Sequence, residues 1–216
     1  MARRVEALCR RIYAESNAFY KAIAADCEHH GFQILYGPPL PEAPICFIGY
    51  QPGSGLKSPE EERAYGSEDH WPARCEYATE DWVLARNMRR MFGSELLEQS
   101  VGLNAIFVRS PNTQHYRTHV RRNVRHEIAE FCLPRVTKMV DALRPNTIVA
   151  IGFETLALFG ESAPALTNGE SGRVLARKGT IAGRQATGTL HLSGAHICQA
   201  DRAAIANHIL APLNLR

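Results

Sequence analysis

Three polar side chains in this sequence follow or end predicted strands, where their chemistry can be combined. Gln51 comes just after the apolar run Ile45–Gly49, Asn104 lies in the strand candidate 101–108, and His191 follows the candidate 185–190. In an open parallel sheet, the carboxyl ends of the strands share one edge, and ligands bind in the crevice beside it. Amides and imidazoles both donate and accept hydrogen bonds. We therefore predict that Gln51, Asn104 and His191 converge on one site.

The turn after the first strand is the central feature of this prediction. Residues 49–55 read GYQPGSG, and a Gly- and Pro-rich turn of this kind leaves backbone N–H groups facing a crevice. A phosphate-binding P-loop is excluded, because Leu56 precedes Lys57 and the required Gly-Lys-Ser/Thr is not met. A simpler alternative for Gln51 is that it caps the turn. Asn104 and His191 likewise have structural alternatives, as a buried amide satisfied by loop backbone and as a hydrogen-bonding residue at a strand end.

The elements that must position these residues alternate along the chain. Strands are predicted at 45–49, 101–108, 146–152 and 185–190, and helices over about 4–28, from Thr79 onward, over 119–142 and around 203–210. Residues 162–183 are loop-rich, with room for a short hairpin. The alternation predicts an α/β protein, a three-layer α/β/α sandwich with a mainly parallel four-stranded central sheet. We expect one domain over residues 1–216.

Composition limits the function classes. The chain is 45% hydrophobic and 22% charged, and no apolar run approaches the ~20 residues that a membrane span requires. No signal peptide is recognisable at the start, so we expect a cytoplasmic protein that does not associate with a membrane. We also expect it to be a monomer. The six cysteines show no metal-binding spacing, and we expect reduced thiols and no metal. The net charge of +3 is too small to indicate nucleic-acid binding by itself.

Basic residues are nevertheless clustered in one place. Arg117, Arg121 and Arg125 repeat every four residues, which predicts one basic face on a helix just after the Asn104 strand. Contact with phosphate is one interpretation. The alternative is a solvated face whose charges are paired with Glu127 or Glu130.

The motifs, in their order and spacing, resemble those of the uracil-DNA glycosylase superfamily. Residues 49–53 (GYQPG) are similar to its first motif, a strand followed by Gly-x-(Asp or Asn)-Pro, and 103–107 (LNAIF) to the strand whose Asn reads the uracil edge. His191-Leu192-Ser193 is similar to the His-Pro-Ser after the last strand. Residues 126–134 and 143–152 resemble the preceding helix and strand of its bacterial and archaeal branches. The resemblance runs from about Ile34 to the C-terminus.

The resemblance implies a DNA repair enzyme that hydrolyses the N-glycosidic bond of uracil or another deaminated base in DNA, without cofactor. Gln51 would position the water, His191 would donate to uracil O2, and Asn104 would read the O4 and N3 edge. The base would stack on Tyr65 or Trp71, between which the sequence does not choose. The other implied base contacts are Gly49, Tyr50, Pro52, Gly53 and Ser54, and the implied DNA contacts are Ser193, His196, Arg117, Arg121 and Arg125.

Several residues depart from the family pattern. Gln51 is neutral and longer than Asn, so it can bind water but does not stabilise the sugar cation. This favours, as the alternative function, a catalytically weak or inactive member of the same fold that binds nucleic acid or a nucleotide. Leu192 replaces the Pro and is expected to loosen the loop, and the DNA wedge would be His196 or Ile197. Gly53 replaces the aromatic of the most uracil-selective branch, which would relax base selectivity.

The sequence also bears on two further alternatives, an iron-sulfur cluster and an unrelated hydrolase. Only Cys132 matches a ligand of the iron-sulfur branch, so we predict no cluster. An unrelated α/β hydrolase would use His191 with Ser193 or Ser54, but the Gly-x-Ser-x-Gly elbow is missing.

Overall fold

The computed structural model describes residues 1–27, 30–53, 71–160, 165–169, 172–193 and 197–213. Ser54, Tyr65 and His196, predicted as site residues, lie outside these ranges. The sheet in the described part has six strands in the order β2-β1-β3-β6-β5-β4. Their bounds are β1 Ile45–Gly49, β2 Val101–Asn104, β3 Thr147–Ile151, β4 Ala165–Asn168, β5 Val174–Ile181 and β6 Arg184–Thr189.

The sheet is mixed and larger than the four strands predicted. Strand β1 pairs parallel with β2 and β3, and β3 pairs parallel with β6. Strands β5 and β4 then extend the sheet by antiparallel pairing. The turn between β5 and β6 consists of Ala182 and Gly183, whose φ angles of 54° and 68° are both positive, as a tight hairpin turn requires. The α/β class is therefore confirmed, and the strand count of four is wrong because a hairpin forms in the loop-rich segment.

The described helices are α1 Ala2–Ile23, α2 Glu76–Thr79, α3 Val83–Phe92, α4 Ser94–Glu98, α5 Thr113–His119, α6 Arg122–Leu143, α7 Phe153–Ala157 and α8 Gln199–Leu210. The helix predicted from Thr79 onward is wrong at its start, since α2 ends at Thr79 and the next helix begins only at Val83. Trp82 between them is extended, with its ring against Tyr36 and Tyr77.

The long helix predicted over 119–142 is confirmed as α6, which begins at Arg122, and the separate helix α5 ends at His119 before it. Val120, between the two helices, has an extended backbone and a buried side chain. Pro134 lies inside α6 without ending it. None of the helices in the described ranges combines the length and the apolar character needed to cross a membrane.

Apolar packing on both faces of the sheet explains why β1 reads as a continuous apolar run. Cys46 and Ile48 pack in one cluster with side chains of α1 and α6. Ile45 and Phe47 pack in a second cluster with side chains of α3 and α8. Because successive side chains of a strand point to opposite faces, the two clusters pack against opposite faces of β1. Polar groups that follow these strands can then lie only at the strand ends.

Candidate functional site

The carboxyl ends of the parallel strands form the framework of the site. Strands β1, β2, β3 and β6 run in one direction, and Gly49 at the end of β1 is in register with Asn104 at the end of β2. Three backbone hydrogen bonds of 2.8 to 3.2 Å join residues 49–52 to residues 105–110. The loop that carries Gln51 is therefore held in place beside β2.

Asn104 is fully buried and has one unpaired atom. Its Nδ2 donates to the backbone oxygen of Gln33 at 3.2 Å. Its Oδ1 is also buried and has no hydrogen-bond partner in the described part of the chain. A Cβ added at Gly49 would lie 3.1 Å from this oxygen, so the glycine keeps the space beside it open. An unpaired buried acceptor costs about 1–3 kcal/mol, which a bound water or ligand N–H would recover.

Gln51 has the same half-satisfied arrangement. Its Nε2 donates to the backbone oxygen of Ser110 at 3.4 Å, which holds the side chain against the loop. Its Oε1 is buried and, among the described residues, without a partner, as is the hydroxyl of Ser110. The turn-fixing role considered for Gln51 is thus carried by its amide nitrogen, and the amide oxygen stays available.

A buried network supports the amides from behind. Gln33 donates through Nε2 to both carboxylate oxygens of Glu76 at 3.0 Å, and its Oε1 accepts from Arg109 Nη2 at 2.7 Å. Arg109 Nη1 donates to the carbonyl of Gly53, in the loop after β1. Glu76 and Arg109 are only 6% and 5% exposed. The network fixes both the orientation of Asn104, through the Gln33 backbone, and the position of the loop.

Sequence reasoning missed this network. Glu76 is far from Gln33 in the chain, so no local pattern joins them. The one available indication was Gln33 itself, a polar residue in the apolar run 32–36.

His191 lies beyond β6 and is exposed at the rim of the edge. The backbone N–H of Ser193 donates to its Nδ1 at 3.4 Å, and the Ser193 Oγ lies 2.8 Å from the same nitrogen. Since a backbone N–H can only donate, Nδ1 is the acceptor, and the proton of the neutral ring is on Nε2. Burial by neighbouring atoms lowers the pKa of His191, against the opposing charge of Glu154. In its neutral form, which the lowered pKa favours, His191 has an Nε2–H donor.

Leu192 itself is held in place, whereas its replacement of the Pro was expected to loosen the chain. Leu192 is buried, and its backbone oxygen accepts a hydrogen bond from Asn87 Nδ2 of α3 at 2.8 Å. Ile197, expected as one of two possible DNA wedges, is only 5% exposed and packs in the core, so it is not available for insertion.

Two cavities lie at this edge, and Tyr50 lines both. The smaller, of about 170 Å³, is lined by His191 and Tyr50 together with residues of 151–155, Thr113 and Leu190. Among the described residues, neither Gln51 nor Asn104 lines it. The structure thus brings the three predicted residues to one edge, with the amides on the β1–β2 side and His191 on the β3–β6 side.

The residues predicted to stack on the base or line its pocket lie in different surroundings. Trp71 packs against α1, with its ring 5.4 Å from that of Tyr13 and with the Arg10 guanidinium 4.2 Å from its centroid. Pro52 is buried in the loop after β1. Gly53 is exposed, and a Cβ there would meet no described atom within 4 Å.

The larger cavity, called here the arginine groove, has a volume of about 310 Å³. Its lining residues are Tyr50, Ile106, Tyr116, Arg117, Arg122, Arg125, His126, Ala129 and Leu158. The groove takes in two of the three arginines predicted for DNA contact and adds Arg122.

The single basic helix face predicted for these arginines is wrong, because Arg117 and Arg125 belong to different helices. Arg117 forms a two-pronged ion pair with Glu154, with N–O distances of 2.9 and 3.2 Å. Arg121 pairs with Asp26 outside the groove, and Arg125 Nη1 donates to the backbone oxygen of Arg117. Glu154 and Asp26 thus take the place of the glutamates of α6 that were considered as partners.

Within the described ranges, no group of three or more His, Cys, Asp or Glu side chains is arranged to hold a metal ion. No model of a known protein family matches this chain, and no curated protein matches it either.

Proposed function

We propose that this chain is a DNA glycosylase that acts as a monomer and hydrolyses the N-glycosidic bond of uracil or another deaminated base. The fold proposed for it is a three-layer α/β/α sandwich centred on the four parallel strands. The observation that supports the proposal best is the pair of buried oxygens, Asn104 Oδ1 and Gln51 Oε1, which have no hydrogen-bond partner among the described residues, at the edge that also carries the His191 donor. Two acceptors and one donor are what a base and an attacking water require.

Asn104 accounts for selectivity toward deaminated bases. One N–H of its Nδ2 is donated to the Gln33 backbone, and its Oδ1, which has no partner among the described residues, is the acceptor that the side chain offers. Uracil, hypoxanthine and xanthine present a ring N–H that this oxygen can accept, whereas cytosine has a bare nitrogen at the corresponding position. An extruded cytosine would leave two acceptors facing each other, which is unfavourable in a buried site.

Gln51 and His191 supply the two ends of the hydrolysis. Gln51 Oε1 accepts from a water and holds it for attack on the anomeric carbon, while Nε2 remains bonded to Ser110. His191 Nε2–H donates to the pyrimidine oxygen on which negative charge develops as the bond breaks. Because the Gln51 amide is neutral, stabilisation of the leaving base supplies more of the acceleration than stabilisation of the sugar cation.

The alternative function is a catalytically weak or inactive member of the same fold that binds nucleic acid or a nucleotide. One observation favours it: among the described residues, the amides do not line the cavity that His191 lines. A site that holds a base without bringing the donor to its leaving oxygen would bind and not cleave.

The test uses the purified chain and oligonucleotides, single- and double-stranded, that contain uracil, hypoxanthine or xanthine. The expected result is alkali-labile abasic sites with at least one of these bases and none with unmodified DNA. Asn104→Ala is expected to abolish them, and Arg86→Ala, which changes an exposed arginine paired with Asp81, serves as the matched control. Binding of all the oligonucleotides without any cleavage would favour the alternative.

A further inference from the structure

The arginine groove is a second cavity on the site edge, separated from the His191 cavity by Tyr50, which lines both. Its floor is apolar, with Ile106, Tyr116 and Leu158, and its rim carries arginines. A volume of about 310 Å³ lies at the lower end of the ~300–1,000 Å³ typical of small-ligand sites. It is a suitable size for one aromatic ring with an attached anionic group.

The positive charge of the groove is concentrated on two residues. The charge of Arg117 is balanced by Glu154, and His126 lies 3.3 Å from a Glu130 carboxylate oxygen. Within the described ranges, Arg122 and Arg125 have no carboxylate partner. An anion in the groove would therefore meet the Arg122 and Arg125 guanidinium groups.

The start of α6 adds to this potential. Arg122 is the first residue of this 22-residue helix, the first turn contains no acidic residue, and the side chain of the N-cap residue Arg121 does not cap it. Helix N-termini carry a partial positive charge and are stabilised by acidic or capping residues, whereas this helix begins with arginines. An arrangement that is unfavourable for the isolated helix is favourable once an anion binds there.

Tyr116 provides an independent indication of a ligand. It lines the groove and is only 2% exposed, yet its hydroxyl has no hydrogen-bond partner among the described residues. The Tyr50 ring lies 6.4 Å from the Tyr116 ring at 71°. Two aromatic rings in an apolar floor, beside two guanidinium groups that have no carboxylate partner among the described residues, are the combination that binds a base and its phosphate.

We infer that the arginine groove binds one intact nucleotide of a nucleic-acid strand, with its base on the apolar floor and its phosphate against Arg122 and Arg125. That this nucleotide is the neighbour of the excised one rests on the proposed glycosylase function, and the shared wall at Tyr50 places the two adjacent. The groove would then hold the strand while the next nucleotide is extruded.

The experiment is calorimetric titration of the full chain with thymidine 5′-monophosphate, thymidine and inorganic phosphate. Arg122→Ala tests the groove, and Arg121→Ala is its matched control, since Arg121 is the adjacent exposed arginine but pairs with Asp26 outside the groove. We expect the monophosphate to bind the wild type, thymidine to bind at least tenfold more weakly, and Arg122→Ala to weaken monophosphate binding about tenfold. Arg121→Ala should leave it unchanged.

Three results would overturn the inference: no saturable binding of the monophosphate, equal losses in both variants, or equally tight binding of inorganic phosphate, which would indicate an anion site only. Because Arg122 is exposed, unchanged thermal unfolding of the variant is expected and establishes that it is folded. Mononucleotide binding needs no excision. Absence of base excision with binding that depends on Arg122 would therefore reject the proposed function and keep the groove.

Discussion

The two halves of the strand-end edge differ in how they are held. On the β1–β2 side, Asn104 is fully buried and is supported by the Gln33, Glu76 and Arg109 network. On the β3–β6 side, His191 is exposed, and its ring nitrogen is oriented by Ser193, two residues away. The first half is a product of folding, with its acceptors fixed before any ligand arrives. The second is a local arrangement at the surface, which can change without disturbing the core.

The largest effect that tests this comparison is on stability in the buried half. Arg109→Ala removes the hydrogen bonds to Gln33 Oε1 and to the Gly53 carbonyl. Because hydrogen bonds to charged groups contribute about 1.5–3 kcal/mol each, we expect the free energy of unfolding to fall by at least about 3 kcal/mol. Urea denaturation measures this.

The control for Arg109→Ala is again Arg86→Ala, which breaks an exposed contact with Asp81 and should cost less than about 1 kcal/mol. Similar losses in the two variants would show that the buried network does not support the amide half.

The exposed half should behave in the opposite way. His191→Ala is expected to change the free energy of unfolding by less than about 0.5 kcal/mol, because the side chain is at the surface. Under the proposed function it should reduce the excision rate about 100-fold, the usual cost of losing one donor to a developing oxyanion. Single-turnover cleavage and urea denaturation of the same preparation separate the two quantities. A stability loss as large as that of Arg109→Ala would contradict the distinction between the halves.

The difference between the two halves also explains which features could be predicted from the sequence. The presence of the parallel strands and their shared edge followed from buried apolar runs, because strands covered on both faces leave an unbroken apolar pattern at Ile45–Gly49 and Thr147–Ile151. The residues that end such strands are then predictable as edge residues. Their roles depend on partners that are distant in sequence, and these have no local pattern.

Two misses have this origin, and a third is local. Glu76 is separated by 43 positions from the Gln33 amide that it accepts from. The helix break at Val120 depends on burial of that side chain, which the spacing of the neighbouring arginines obscured. The β5–β6 hairpin depends on positive φ angles at Ala182 and Gly183, and alanine gives no indication of such a turn.

Gln51 belongs to the β1–β2 half of the edge, but it contributes little to stability. A substitution there therefore tests the chemistry of this half with an effect of intermediate size. Gln51→Asn shortens the side chain and removes the long 3.4 Å contact with Ser110, so little stability should be lost. The shorter amide matches the Asn of the uracil-DNA glycosylase motif that residues 49–53 resemble, and under the proposed function we expect excision to rise about tenfold, because the water is then held by the residue type of that motif. Initial rates on uracil-containing single strands measure this, with Gln51→Ala as the variant that cannot hold water. Equal activity of Asn and Ala variants would remove Gln51 from the mechanism.

The smallest effect concerns the protonation of His191. Atoms packed against the ring remove part of its hydration, which lowers the pKa of His191 below the usual 6.5 against the opposing influence of Glu154. The folded protein therefore favours the neutral ring more than the unfolded chain does. Below pH 6.5 the unfolded state therefore binds more protons, and the contribution of His191 to stability, fully present above pH 6.5, is lost as the pH falls through the folded pKa. Relative to His191→Gln, which does not titrate, the wild type should lose stability on acidification below pH 6.5, and only slightly because the residue is exposed. Urea unfolding at a series of pH values measures the difference. A wild type that instead gained stability over the variant on acidification would show a protonated imidazole in the folded state, and the Nδ1 acceptor inferred from Ser193 would then be wrong.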